Sequence, residues 1–349
     1  MERCHYSILC VAGLAGGLAM PAAGLHAQEA TRGTRSDSSH EKGWQLVVPG
    51  RVESWTGEIK IMALVFGVIS EVLVKVNDRV FAGEPLIRLH DKELRARVAA
   101  VEAQVGLLRR VRNDQNPSSK AAARRKSEDA VADAEKAVVE ARSTLDQAAA
   151  EVRARGGSDA ELDALRSTLS RTRERLTQQK AELFRIEADP NTPLPTEAEG
   201  QLNVARAELL LAEAAVEKRT IRAPIDGSVL QVNAKAGELV EPFATRPLVL
   251  LGEISILRVR AEWDERDIRE IRIGQRVAVR TTAFRGREFA GKISFIAPMV
   301  GPARIKQRDQ LRPTDEGVVE VLIDLAERGP LAVRMNVDVY LAHDDLQRR

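Results

Sequence analysis

Between Gly67 and Val80 apolar and polar positions alternate, break at Asn77-Asp78 and resume, as GVISEVLVKVNDRV. Residues 227–240, GSVLQVNAKAGELV, carry the same texture with the break at Gly237-Glu238. At a constant offset of 160, Gly67 matches Gly227, Val72 matches Val232, Lys75 matches Lys235 and Val80 matches Val240. Period-2 alternation with a central turn signal predicts short half-buried strands. A unit this small cannot bury a face alone. The two copies are therefore expected to pack as halves of one small sandwich, extended by the flanks FAGEPLIRLHD, with Gly83, and TIRAPIDG, with Pro224.

Between the copies the period changes to 3–4. The seam runs Leu94, Val98, Val101, Val105, Leu108; then Val131, Ala134, Val138, Ala141, Leu145, Ala148, Val152. Beyond Gly156-Gly157 it continues Leu162, Leu165, Leu169, Thr172, Leu176, Gln179, Leu183, Ile186, and ends Leu202, Ala205, Leu209, Ala212, Val216. A mean spacing of 3.5 is a coiled-coil seam. Residues 113–119 (NDQNPSS) and 189–196 (DPNTPLPT) interrupt it, since proline breaks a helix interior. Helical pieces of matched length on either side of Gly156-Gly157 suggest one antiparallel hairpin with facing breaks, each arm reaching roughly 80–90 Å. If both breaks were full reversals, the same pieces would instead form a bundle of four helices side by side. The seam and the length match favour the hairpin.

From Leu257 the alternation returns: LRVRAEW, then QRVAVRTT (275–282), EFAGKISFIAP (288–298), VVEVLIDL (318–325) and VRMNVDVYLA (333–342). A short helix is expected over 264–273, stopped by Gly274. Antiparallel strands with one inserted helix suggest a small β-barrel.

At the other end, Tyr6 to Gln28 carries no acidic residue, lysine or arginine, follows Arg3, and closes on small residues. It reads as a secretory signal over 1–27 or as an uncleaved anchor. Residues 28–43 are polar and read as a flexible lead-in. Both cysteines, Cys4 and Cys10, fall in this leader, so a cleaved protein would have no thiol.

The order half-motif, helical insert, half-motif, barrel resembles the HlyD-type periplasmic adaptors, also called membrane fusion proteins. The motifs that carry the likeness are the two half-motifs together with WDERDI, IGQRVAV, AFRGREFAGKISFIAP and VRMNVDVYL. One departure is Arg334, where relatives often have glycine. The resemblance implies a mixed α and β, elongated fold: a split biotinyl/lipoyl-like β-sandwich (44–90 and 219–252), a long antiparallel α-helical coiled-coil hairpin (91–218, tip near 156–157), a small β-barrel (253–342) and a tail (343–349). Gly67, Val72, Val80, Gly83, Pro224, Gly227, Val232, Gly237 and Val240 are then structural half-motif positions.

The same resemblance implies a periplasmic protein held at the inner membrane, working with an inner-membrane ABC or RND transporter and an outer-membrane TolC-like channel. A ring, expected to be a hexamer, would form by self-association. RND adaptors usually add a membrane-proximal domain from both termini, and the few residues after Ala342 favour an ABC exporter. Relatives that dock on TolC carry Arg, Leu and Ser at fixed spacing on the hairpin tip. Here the spacing departs from that form, leaving Arg155, Gly156, Gly157, Leu162 and Leu165 as docking candidates. In carrier enzymes of this fold a modified lysine sits at the hairpin between the halves. The nearest candidate is Lys92, but Asp91 reads as a helix N-cap there, which argues against a biotin or lipoate carrier.

Composition narrows the function further. The 53 basic residues against 51 acidic give a net charge of +2, too little for nucleic-acid binding by bulk charge. The histidines His5, His26, His40, His90 and His343 have no metal-ligand spacing. Ser158 follows two glycines without the preceding strand that a nucleophile elbow needs. The carboxylates read as solvated coiled-coil positions. No catalytic, cofactor or metal residue is expected, and an enzyme is not.

Overall fold

The computed structural model describes residues 44–155, 159–305, 317–327 and 329–342. The leader, the lead-in, the C-terminal tail, Gly156 and Gly157 lie outside them. The chain enters as β1 (Trp44–Ser54) and lays down β2 (Ile59–Ile61), β3 (Gly67–Val72), β4 (Arg79–Val80) and β5 (Pro85–Leu89). Four helices follow: α1 (Lys92–Asn113), α2 (Ser119–Arg155), α3 (Asp159–Glu187) and α4 (Glu197–Glu217). Then come β6 (Thr220–Arg222), β7 (Gly227–Val232), β8 (Leu239–Val240) and β9 (Val249–Gly252), and last β10 (Leu257–Asp264), β11 (Arg276–Arg280), β12 (Phe289–Pro302), β13 (Gly317–Leu325) and β14 (Asn336–Ala342).

The half-motifs close on each other by exchange. One sheet runs β2-β9-β7-β4 and the other β6-β5-β3-β8, so each contains strands of both halves. Gly67 pairs with Val240, and Val80 with Gly227. The turns interlock in the same reciprocal way. The Ile69 N–H donates to the Glu238 carbonyl and the Val229 N–H to that of Asp78, both at 2.9 Å. Asn77 and Gly237 sit at equivalent positions with φ of 74° and 85°, a left-handed turn that Asn and Gly tolerate best. Ile69, Val80, Leu86, Ile87, Val229, Val249 and Leu251 fill the space between the sheets. Val72 and Val232 pack half-buried on its edge, and Pro224 is exposed in the link from β6 to β7. Complete burial of each aliphatic side chain stabilises by roughly 1.5–3 kcal/mol, which neither half could collect alone.

The barrel closes in the order β1-β10-β13-β12-β11-β14. Its β1 lies on the N-terminal side of the first half-motif and was not among the strands expected for the barrel. Bonded to β10 on one edge and β14 on the other, it supplies the sixth strand. Leu257, Val259, Ala261 and Trp263 point inward from β10, as their alternation predicts. The expected helix at 264–273 is a 3-10 turn, Glu265–Glu270, capped by Asp264, which accepts from the Arg266 N–H at 2.9 Å. Gly274 follows in a left-handed conformation.

The helices depart most from expectation. α1 packs along α4 and α2 along α3, as in one hairpin. The breaks, however, are full reversals, and the pair α2/α3 turns back along α1 and α4. Arg112 meets Asp129 at 2.8 Å and Arg109 meets Asp133 at 3.8 Å, so α2 runs antiparallel to α1. On the returning side Arg124 reaches Glu199, and Arg142 reaches Glu217 at 2.8 Å. With 37 residues against 22, α2 outruns α1 by about 20 Å and arrives beside the sandwich. The single rod of 80–90 Å is thus replaced by the side-by-side arrangement. A proline-rich break ends a helix without dictating the direction in which the next one leaves, and long-range charge pairs decide that direction here.

Candidate functional site

Because α2 folds back, the predicted tip lies against the sandwich. Arg153 pairs with Glu84, lies 3.8 Å from Asp78 and donates to the Leu73 carbonyl at 3.2 Å. From α3, the Arg166 guanidinium stands 3.8 Å from the centroid of the Phe81 ring, a cation–π stack. Among the docking candidates, Arg155 is exposed, Leu165 is half-buried, and Leu162 is 3 % exposed. Leu162 therefore cannot present its side chain to a partner in this arrangement.

One turn of sandwich further along, Arg222 of β6 grips Asp146 of α2 with two parallel bonds of 2.9 and 2.7 Å. Its Nε also donates to Glu217 at 2.7 Å, and Glu217 in turn accepts from Arg142. Burial disfavours the Arg222 charge, but the hydrogen bonds from its guanidinium to Asp146 and Glu217 outweigh that and raise its pKa above the usual arginine value.

The third cluster lies where the helix pairs reverse. Thr196 caps α4 in a capping box with Glu199. Glu199 is buried and accepts from Arg124 at 2.6 Å and from Arg125. Asp129 receives a fork of 2.9 and 2.8 Å from Arg112 and a further bond from Arg206. Burial alone would raise the Asp129 and Glu199 carboxyls. For Asp129 the Arg112 and Arg206 bonds, and for Glu199 the Arg125 and Thr196 bonds, hold them below their ordinary values. Glu128 is pushed up by burial, against the attraction of Arg124.

These carboxylates do not sit at solvated coiled-coil positions, as the sequence suggests. They face a helix pair that the hairpin reading placed elsewhere. The available signals were the doublets Arg124-Arg125 and Glu128-Asp129, one helical turn apart, and the Thr196-x-x-Glu199 box.

Arg334, the departure from the expected pattern, takes a left-handed turn at φ 70°, and its guanidinium holds Glu58 at 2.6 and 2.5 Å. Phe243, the counterpart of Gly83 at the same offset of 160, is also left-handed at φ 64°, and is 97 % exposed. Lys92 opens α1 on the exposed side and lies on no turn between strands. Among the described residues no group of His, Cys, Asp and Glu is arranged to hold a metal ion, and no helix is long and apolar enough to cross a membrane.

A lipoyl-like sandwich assembled from two exchanged halves, interrupted by paired helices and followed by a six-stranded barrel, is now complete. This element order is the one that the resemblance to membrane fusion proteins predicts. No protein-family model matches the chain. It is 30 % identical to the multidrug resistance protein MdtN of Escherichia coli K12 over 102 residues, 29 % of each chain. It is 28 % identical to the macrolide export protein MacA of Yersinia pestis over 101 residues, 29 % of this chain and 27 % of the relative. The matched stretch thus spans less than a third of either relative. Among solved structures, MacA of Actinobacillus actinomycetemcomitans aligns at 18 % identity over 86 % of this chain and 79 % of that one, with a TM-score of 0.49. The membrane fusion protein Spr0693 of Streptococcus pneumoniae R6 aligns at 18 % identity over 86 % of this chain and its own whole length, with a TM-score of 0.42. The names these proteins carry are those of multidrug resistance, macrolide export and membrane fusion.

Proposed function

We propose that this protein is a periplasmic adaptor that links an inner-membrane transporter to an outer-membrane channel for the export of small molecules. The observation that carries the reading is the reciprocal pairing of Gly67 with Val240 and Val80 with Gly227, which closes one sandwich around an inserted helical arm. Similarity to MdtN and MacA supports export as its purpose.

The partner at the inner membrane is proposed to be an ATP-driven exporter. Sandwiches are proposed to associate side by side in a ring, a hexamer by resemblance, because weak single contacts become firm only when several act together. The tip of the α2/α3 pair, including Arg155 and Leu165, is the proposed docking end for the channel.

Gene deletion with complementation tests the reading. Cells lacking the protein should accumulate a fluorescent efflux substrate, and the intact gene should restore export. Unchanged accumulation of every compound exported by the neighbouring transporter would contradict it.

A further inference from the structure

Charge pairs recur along the whole line on which α2/α3 folds back. Extended clusters of buried apolar side chains occupy the barrel and the sandwich. Between α2 and the elements it folds against stand Arg112 with Asp129, Arg124 with Glu199, Arg142 with Glu217, Arg222 with Asp146 and Arg153 with Glu84, and the buried apolar residues of α2 in the same stretch are few and small, Val131, Ala134 and Ala149. Midway along this interface a groove of about 370 Å³ remains open between α1, α2 and α4. Its lining sets Glu102 of α1, Asp133 and Glu135 of α2 and Glu213 of α4 beside Arg109, Lys136 and Arg206. Burial, then the nearby Glu102 and Glu135, pushes the Glu213 carboxyl up. At the reversal end the buried Glu128 Oε2 has no hydrogen-bond partner.

The geometry also leaves a way out. On α3 the seam residues Leu162, Leu165, Leu169, Thr172, Leu176, Gln179, Leu183 and Ile186 are buried or half-buried and nearly all others exposed, which is the pattern of a helix with α2 as its one neighbour. Swinging α2 and α3 together would therefore keep their mutual seam, and would keep α1 against α4. Only the cross contacts would break, and their charged groups can be rehydrated. The two reversals lie side by side, joined by Lys120 to Asp189 at 2.9 Å and Thr196 Oγ1 to Gln115 Oε1 at 3.3 Å. Both carry proline: Pro117 in the first, and Pro190, Pro193 and Pro195 in the second. They form one hinge line.

We propose that the α2/α3 pair is an electrostatically latched arm with two positions. In the closed position described here, Arg153, Arg166 and Asp146 hold its tip on the sandwich. In the open position the arm swings about 114–118 and 188–196 and continues the line of α1 and α4, carrying the tip roughly 80 Å from the sandwich. The latch converts a compact arm into a long spacer without altering either helix pair. Its occupant of the closed site is the arm itself, so the switch rests on these contacts and not on the export reading.

Energy transfer between two labels in the full chain tests this. Cys4→Ser and Cys10→Ser remove the only native thiols, and Lys75→Cys with Glu151→Cys place one label beside each end of the latch. In dilute buffer the unlatched distance should be rare and transfer high. Raising salt to about 1 M, where screening acts within about 3 Å, should lower it. Asp146→Arg with Arg153→Glu should lower it further, with the helical circular dichroism unchanged. Transfer that stays high in that variant at high salt, or is low in the labelled parent chain in dilute buffer, would overturn the proposal. Either result would leave the export assay untouched.

Discussion

Gly67 lies opposite Val240 on adjacent strands, and the relation is repeated 160 residues out of phase where Val80 lies opposite Gly227. Each half-motif therefore opens on the strand that ends the other. Val80 and Val240 are both buried. Val80→Ala and Val240→Ala should each cost about 2 kcal/mol, from the lost methyl groups and the space they leave. Urea unfolding followed by strand circular dichroism measures this, and either variant should loosen both sheets together.

Glu199 stands at the centre of the reversal cluster, with Arg124 and Arg125 both relying on it. Glu199→Ala takes from two buried guanidinium groups the carboxylate they share, leaving Arg125 with none and Arg124 with Glu128 at 3.3 Å, and should destabilise the helical region by about 3–5 kcal/mol. Thr196→Ala, which removes the cap and the exposed bond to Gln115, should cost about 1 kcal/mol. Hydrogen exchange should rise first in the early turns of α2 and α4.

Acid should release the same region. The Asp129 and Glu199 carboxyls are held below their unfolded values, so their contribution is fully present above the ordinary carboxylate range of about 4 and is lost as pH falls through the depressed values. Glu128 has the opposite sign: its raised carboxyl favours the folded state as pH drops through that raised value. Helix stability should therefore hold or rise slightly on mild acidification from neutrality, then fall below about pH 4. A thermal-melt series across pH checks both limbs.

At Arg334 two effects can be separated. Arg334→Gly relieves a left-handed residue while losing an exposed pair with Glu58; Arg334→Ala loses the pair and keeps the strain. The glycine variant should be the more stable of the two by about 1 kcal/mol in thermal melts.

Within the barrel, an added Cβ at Gly50 would stand 2.8 Å from Val259 Cγ1 and 3.2 Å from both Val337 Cγ2 and Val339 Cγ2. Gly50→Ala should destabilise the barrel by about 1–3 kcal/mol and free β1, measurable as faster exchange at Val48 and Val52.

What could be read from the residues alone divides along the range of the forces. The half-motifs were legible because alternation, the Asn77-Asp78 and Gly237-Glu238 turns and the inward face of β10 are all set within a few residues. The 3–4 seam likewise located the helices. The fold-back was not legible: it depends on Arg112 finding Asp129 and Arg222 finding Asp146 across long stretches of chain, and a proline such as Pro117 marks a break without its angle. Leu162, read as a docking residue at the tip, is buried as a seam residue of α3. β1 escaped assignment to the barrel because strand alternation does not specify which distant edges a strand will join.

The most direct test of the adaptor account is affinity purification of the intact protein from cell envelopes after reversible crosslinking. An inner-membrane transporter and an outer-membrane channel should be recovered on the same chain. Recovery of neither, with the protein itself crosslinked and pure, would contradict the account.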